Sequence, residues 1–108
     1  MKIGAEELRT LVQRTLQAAG ASQAMAASTA RALVLAESQG IGSHGLSRVA
    51  QYATHLKNGR VDGSALARVA QQRGGAVQVD AGCGLAFPAC ELAVRECIER
   101  ARTHGVAF

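Results

Sequence analysis

The sequence predicts an α/β chain in which a helical N-terminal segment, residues 1–60, leads into the start of an α/β domain, residues 61–108, that breaks off incomplete. Three observations predict it. Apolar residues recur at helical spacing through the first 60 residues. After Gly59 the pattern changes to short runs separated by glycine turns, one of which, Ala76-Val77-Gln78-Val79-Asp80, alternates as a half-buried strand does. A further helical stripe follows Pro88, and Val106-Ala107-Phe108 then opens as a strand.

The first helix is expected from Ala5 to Ala19. Leu8, Leu11, Val12 and Leu16 recur at helical spacing, Glu6 and Glu7 suit the positive N-terminal end, and Gly20 ends it. The second begins after Ser22, an N-cap type, and runs to about Gln39, with Met25, Thr29, Leu33 and Ala36 as its inner stripe and Gly40 as its stop. The third is expected from near Ser43 to Asn58-Gly59. Its apolar face is Val49, Ala53 and Leu56, and beside it runs a polar stripe of His44, Arg48, Tyr52 and His55.

Val61-Asp62-Gly63 reads as a turn, Leu66–Ala70 as a strand, Arg73-Gly74-Gly75 as a second turn, and Ala81-Gly82-Cys83-Gly84 as a loop. The fourth helix presents Cys90, Val94, Cys97, Ile98 and Ala101 as its apolar stripe and closes at Gly105. A strand normally runs about 5–6 residues. One that stops at its third residue, with no polar tail, reads as a fragment.

At 108 residues the chain is one domain at most. With two Phe, one Tyr and no Trp, its interior is built from Ala, Leu and Val, which pack closely but bury little area per residue. Twelve Lys and Arg stand against eight Asp and Glu. The basic residues are scattered, and the densest group, Arg95 to Arg102, is interrupted by Glu96 and Glu99. That is a solvated helix face with internal pairing, so no nucleic-acid partner is expected. No apolar signal segment opens the chain, and the Ala-rich run from Ala18 to Ala36 is broken by polar residues, so no membrane association is expected and the location reads as cytoplasmic. Cys83, Cys90 and Cys97 are seven residues apart. On one helix Cys90 and Cys97 would be separated by about 10 Å. That is too far for a disulfide or for two ligands of one metal, so no metal is expected and these thiols read as reduced, half-buried core residues, while Cys83, between Gly82 and Gly84, could be exposed.

The chemistry concentrates in Gly40-Ile41-Gly42-Ser43-His44-Gly45-Leu46-Ser47-Arg48. On one α-helical face, residues four apart point the same way. An imidazole able to give up a proton would then sit beside a guanidinium able to fork onto a carboxylate. An enzyme acting on a 2-oxo or 2-hydroxy acid needs that pair: a proton donor near the carbonyl oxygen and a cation that fixes the acid. Ser43 could cap the helix and bond the substrate, and the Tyr52 hydroxyl lies a further turn along. The simpler reading makes Arg48 a surface residue paired with Glu37. Gly82 and Gly84 precede a helix, but the third glycine of a dinucleotide fingerprint is missing, so the stretch reads as a tight strand-to-helix turn and leaves cofactor-binding residues unassigned. A reading of another class takes the second and third helices as a helix-turn-helix DNA-binding module, although the recognition helix would carry few base-reading side chains.

Ala36-Glu37-Ser38-Gln39-Gly40-Ile41-Gly42-Ser43-His44-Gly45-Leu46-Ser47-Arg48, with Tyr52, Leu56 and Gly59, resembles the N-terminal region of the type-2 malate/L-lactate dehydrogenase family. Val79-Asp80-Ala81-Gly82-Cys83-Gly84-Leu85-Ala86-Phe87-Pro88-Ala89 and Ala101–Val106 resemble its next block, in the same order. The resemblance implies a cytoplasmic, commonly homodimeric oxidoreductase using NAD or NADP, with a nicotinamide domain that is α/β but not a Rossmann fold. The implied substrates are small 2-hydroxy, 2-oxo or imino acids: malate, lactate, sulfolactate, ureidoglycolate, diketo sugar acids or cyclic imines. Ser43, His44 and Arg48, with Tyr52, would line the substrate site, with Arg48 holding the carboxylate and His44 orienting the substrate or donating the proton. Asn58–Gly63 and Val79–Gly82 resemble the branch that reduces Δ1-piperideine-2-carboxylate. Family chains are several-fold longer and carry an Asn/His-containing loop after the strand opened by Val106. A histidine from that loop is a competing proton donor, and the 108-residue chain alone is expected to be inactive.

Overall fold

A computed structural model describes residues 2–108; Met1, the first residue of the expected helical segment, lies outside the described residues. The elements are α1 (Ala5–Ala18), α2 (Gln23–Ser38), two short 3-10 turns (Gly42–His44 and Leu46–Arg48), α3 (Val49–Lys57), β1 (Arg68–Arg73), β2 (Ala76–Asp80) and α4 (Phe87–His104).

α1 and α2 form a helical hairpin whose facing stripes make most of the core. Val12, Leu16, Met25, Ala26, Ala30, Leu33 and Val34 are buried, and Leu56 from α3 and Leu85 from the loop before α4 close it. The alanines permit close helix approach, and Leu16, Met25 and Leu33 supply the bulk. The Ser22 side chain accepts the Met25 amide N–H at 3.2 Å, so the expected cap is formed. Ser22→Ala is expected to cost about 1 kcal/mol, read as a lower urea midpoint with an unchanged slope.

β1 and β2 pair antiparallel through the two-residue Gly74–Gly75 turn, with a bulge at Ala70 between Val69 and Gln71. β2 falls where the alternation predicts. β1 is shifted: it shares only 68–70 with the expected Leu66–Ala70, Leu66 is 81% exposed, and the strand is Arg68–Arg73. The tight turn fixes Arg73 opposite Ala76 and propagates pairing backward from there, so turn geometry overrides the weak apolar pattern. On the other edge of β2, Phe108 donates its amide N–H to the Gly75 carbonyl and accepts from the Val77 N–H, both at 2.9 Å. That is the bonding of a parallel bridge, but Phe108 alone makes it, and 106–108 do not form the expected strand.

α4 packs on the β1–β2 pair and on α2, which it reaches through Arg31 and Glu91, 2.8 Å apart. The Arg31 guanidinium holds the Glu91 carboxyl below the usual carboxylate range. The expected stripe of α4 is not buried. Val94 is 59% and Ile98 49% exposed, Cys90 is exposed, and Cys97 is half-buried, so the cysteines are not core residues. Val94, Cys97, Ile98 and Ala101 border an open groove of about 390 Å³. Spacing specifies an apolar face but not what covers it. No helix among the described residues is long and apolar enough to cross a membrane.

Candidate active site

The α2–α3 connection departs most from expectation. A single helix from Ser43 would carry His44 and Arg48 on successive turns of one face. Instead the backbone makes two 3-10 turns separated by Gly45, at φ −103° and ψ −132°, and becomes α-helical only at Val49. Glycines at 42 and 45 weaken helix propagation, and the segment's polar groups find bonds outside the α pattern. Ten residues separate Ser38 from Val49, not the three- or four-residue turn of a helix-turn-helix, so the DNA-reading geometry is not formed.

The imidazole and guanidinium are nevertheless brought together, through Ser43. Ser43 Oγ lies 2.9 Å from His44 Nδ1, in a hydrogen bond whose donor is set by the imidazole tautomer. Arg48 donates from Nε to the Ser43 carbonyl at 2.8 Å and from Nη1 to Gln51 Oε1 at 2.9 Å. Two of the five guanidinium N–H donors are thereby engaged, and the Nη2 end stays available for a bidentate acceptor. No carboxylate among the described residues pairs with Arg48. The Glu37 pairing offered by the simpler reading is not formed, because that carboxylate instead accepts the Leu46 amide N–H at 2.9 Å. Ser43 and His44 are exposed and Arg48 is half-buried. The trio lies at the surface with His44 Nδ1 and Arg48 Nε and Nη1 anchored.

Tyr52 is placed differently. Its ring packs against the core and meets Phe87 edge-on, with centroids 6.0 Å apart. No hydrogen bond ties its hydroxyl to the trio among the described residues. His55 is half-buried one helical turn from Tyr52, and its carbonyl accepts the Val61 N–H. Glu37 was not singled out by sequence reading as a site residue. Its contact spans nine positions, beyond the reach of any helical or strand period.

The loop before α4 does not form a dinucleotide cradle. Gly82 donates its N–H to Asp80 Oδ1 at 2.8 Å, and Gly84 donates to the Ala81 carbonyl at 3.1 Å. Gly84 is needed for protein packing, since a Cβ there would lie 2.8 Å from Met25 Cε and 2.9 Å from Ala65 Cβ. Pro88 removes one of the helix-start donors. Two of the loop's amides are thus spent internally, and Pro88 offers none. No group of three His, Cys, Asp or Glu able to hold a metal occurs among the described residues.

The family profile described as malate/L-lactate dehydrogenase matches residues 3–108. The chain is 42% identical over 104 residues to the (2R)-3-sulfolactate dehydrogenase (NADP(+)) of Chromohalobacter salexigens, covering 96% of this chain and 31% of that protein. It is 38% identical over 101 residues to the Delta(1)-pyrroline-2-carboxylate/Delta(1)-piperideine-2-carboxylate reductase of Pseudomonas putida, covering 94% and 30%. The crystal structure of delta1-piperideine-2-carboxylate reductase from Pseudomonas syringae pv. tomato superposes with a TM-score of 0.89 at 32% identity, over 95% of this chain and 31% of that one. Malate dehydrogenase from Pyrococcus horikoshii shares the fold at a TM-score of 0.89 and 23% identity, over 99% and 31%. The chain thus spans 30–31% of the length of the curated relatives described.

Proposed function

The chain belongs to the malate/L-lactate dehydrogenase family, and from that premise we propose that it is the N-terminal, acid-binding portion of a nicotinamide-dependent oxidoreductase for a small 2-hydroxy/2-oxo or 2-imino acid. The coenzyme of the whole enzyme is NAD or NADP, the enzyme works in the cytoplasm as a homodimer, and residues 61–108 open its α/β coenzyme domain behind the helical segment 1–60. One observation supports this reading above the others: a guanidinium without a carboxylate partner, pre-oriented by Ser43 and Gln51, beside an imidazole whose Nδ1 is already bonded.

In this reading Arg48 takes the substrate carboxylate on its free edge. His44, tethered at Nδ1, presents Nε2 to the 2-oxygen or 2-nitrogen and gives or takes the proton there. Ser43 keeps the ring oriented and Tyr52 shapes the wall behind it. The nicotinamide supplies the hydride. No described residue is assigned to its pyrophosphate, and no step involving it is derived. Cyclic imino acids and open-chain hydroxy acids share the carboxylate and the adjacent heteroatom, and the trio serves either.

The test is titration of the isotope-labelled chain with oxamate, a carboxylate-bearing isostere of a 2-oxo acid, followed by NMR. The expected result is saturable shifts of the His44 and Arg48 side-chain signals, with the α1–α2 core signals unmoved. Uniform small shifts, or none at His44 and Arg48, overturn the assignment. The same chain is expected to show no oxidation of NADH or NADPH in the presence of pyruvate, oxaloacetate or Δ1-piperideine-2-carboxylate, because it spans only 30–31% of the length of the relatives described. Measurable absorbance loss at 340 nm above a boiled control would contradict that.

A further inference from the structure

We propose that Glu37 is a positioning residue that sets the phase of His44 relative to Arg48; this rests on the acid-site reading given above. In an uninterrupted α-helix the Leu46 N–H would bond the Gly42 carbonyl. That carbonyl instead accepts the Ser47 hydroxyl at 2.7 Å and the Gly45 N–H at 3.4 Å. The Leu46 N–H, left without its helical partner, is taken by Glu37 Oε2 from the last turn of α2 at 2.9 Å. Glu37 thus satisfies the first amide of the second 3-10 turn from a different helix.

Gly45 completes the device. It is buried, and a Cβ there would overlap Glu37 Oε2 and lie 3.1 Å from Glu37 Cβ and 3.2 Å from Glu37 Cα. Only glycine lets the connection pass this close, so carboxylate and glycine form one fitted contact. The break lies between His44 and Arg48. Displacing the contact frees the segment to wind as one helix, and the angle between imidazole and guanidinium then changes even though neither side chain has been altered.

The test compares Glu37→Ala, Glu37→Gln and Gly45→Ala in the 108-residue chain. In Glu37→Ala, exchange of the Leu46 amide is expected to accelerate by about 10-fold or more and the His44 ring signals to move, while Leu16 and Leu33 amides keep their protection. Glu37→Gln keeps an accepting oxygen and is expected to restore both. Gly45→Ala expels the carboxylate and is expected to reproduce Glu37→Ala, adding little in the double variant. If Glu37→Ala fails to fold, Gly45→Ala and Glu37→Gln decide alone.

The proposal is overturned if Leu46 protection and His44 signals are unchanged in folded Glu37→Ala, or if the Gly45 and Glu37 effects simply add. Oxamate separates the two readings. Binding weakened about 10-fold in Glu37→Ala supports the positioning role. Equal binding by wild type and Glu37→Ala sinks it and leaves the acid site standing. No oxamate response in wild type, with Leu46 still dependent on Glu37, removes the acid site and leaves the conformational role.

Discussion

Arg48→Leu is expected to abolish the oxamate response of this chain, weakening binding by on the order of 10- to 100-fold while leaving the thermal midpoint close to wild type. A charge-assisted bond to a carboxylate contributes roughly 1.5–3 kcal/mol, and no other cation is bonded into the Ser43–His44 cluster to replace it. Stability should change little. Arg48 is half-buried, its partners are a carbonyl and an amide side chain near the surface, and no ion pair is lost. Arg48→Lys separates charge from geometry. It keeps the cation but loses the fork, and with it either the Ser43 tether or the second bond to the acid. An intermediate affinity is therefore expected, and His44 signals that move in the free chain identify the Ser43 tether as the bond lost. Wild-type affinity in Arg48→Leu would remove Arg48 from the acid site.

Sequence periodicity located these two side chains by a route the molecule does not use. It placed His44 and Arg48 together because residues four apart share a helical face. In the fold they meet through Ser43, across a break at Gly45. The break is set by a carboxylate nine residues upstream, and a local period carries no information about such a contact. Where structure follows from local rules, the reading was close. The Ser22 cap, the Gly20 and Gly40 stops at positive φ, and the alternation of β2 are all decided within a few residues. The stripe on α4 shows the opposite limit. Its period is helical, but burial is a tertiary property, and Val94 and Ile98 have no element packed over them here. Tyr52 falls between these cases: its position on the stripe was legible, whereas its edge-on contact with Phe87 needed the fold.

Gly63→Ala is expected to destabilise the chain more than Gly84→Ala, although both add one methyl group beside the same core. At Gly63 the new Cβ would overlap the Gly20 carbonyl oxygen and lie 2.7 Å from the Gly20 carbonyl carbon and 3.2 Å from Ala21 Cα. These are backbone atoms at the α1–α2 corner. They cannot rotate away, and the corner is itself tied to this segment by the Ser22 N–H bonded to the Gly63 carbonyl at 2.8 Å. Relief requires the 61–65 segment to lift off, which breaks that bond and uncovers Val61 and Ala65, both packed on the core. At Gly84 the new Cβ would lie 2.8 Å from Met25 Cε, the end of a flexible side chain, 2.9 Å from Ala65 Cβ and 3.2 Å from the Ala81 carbonyl oxygen, so the overlap with backbone is shallower than at Gly63. Overpacking typically costs about 1–3 kcal/mol. Gly63→Ala is expected at or above the top of that range and Gly84→Ala within it. In a chain with a small alanine-built core, that difference separates a folded variant from one that is unfolded for much of the time. Urea melts followed by circular dichroism give the comparison directly. A Gly84→Ala midpoint at or below that of Gly63→Ala would mean that the side-chain contact, not the backbone corner, is the rigid one.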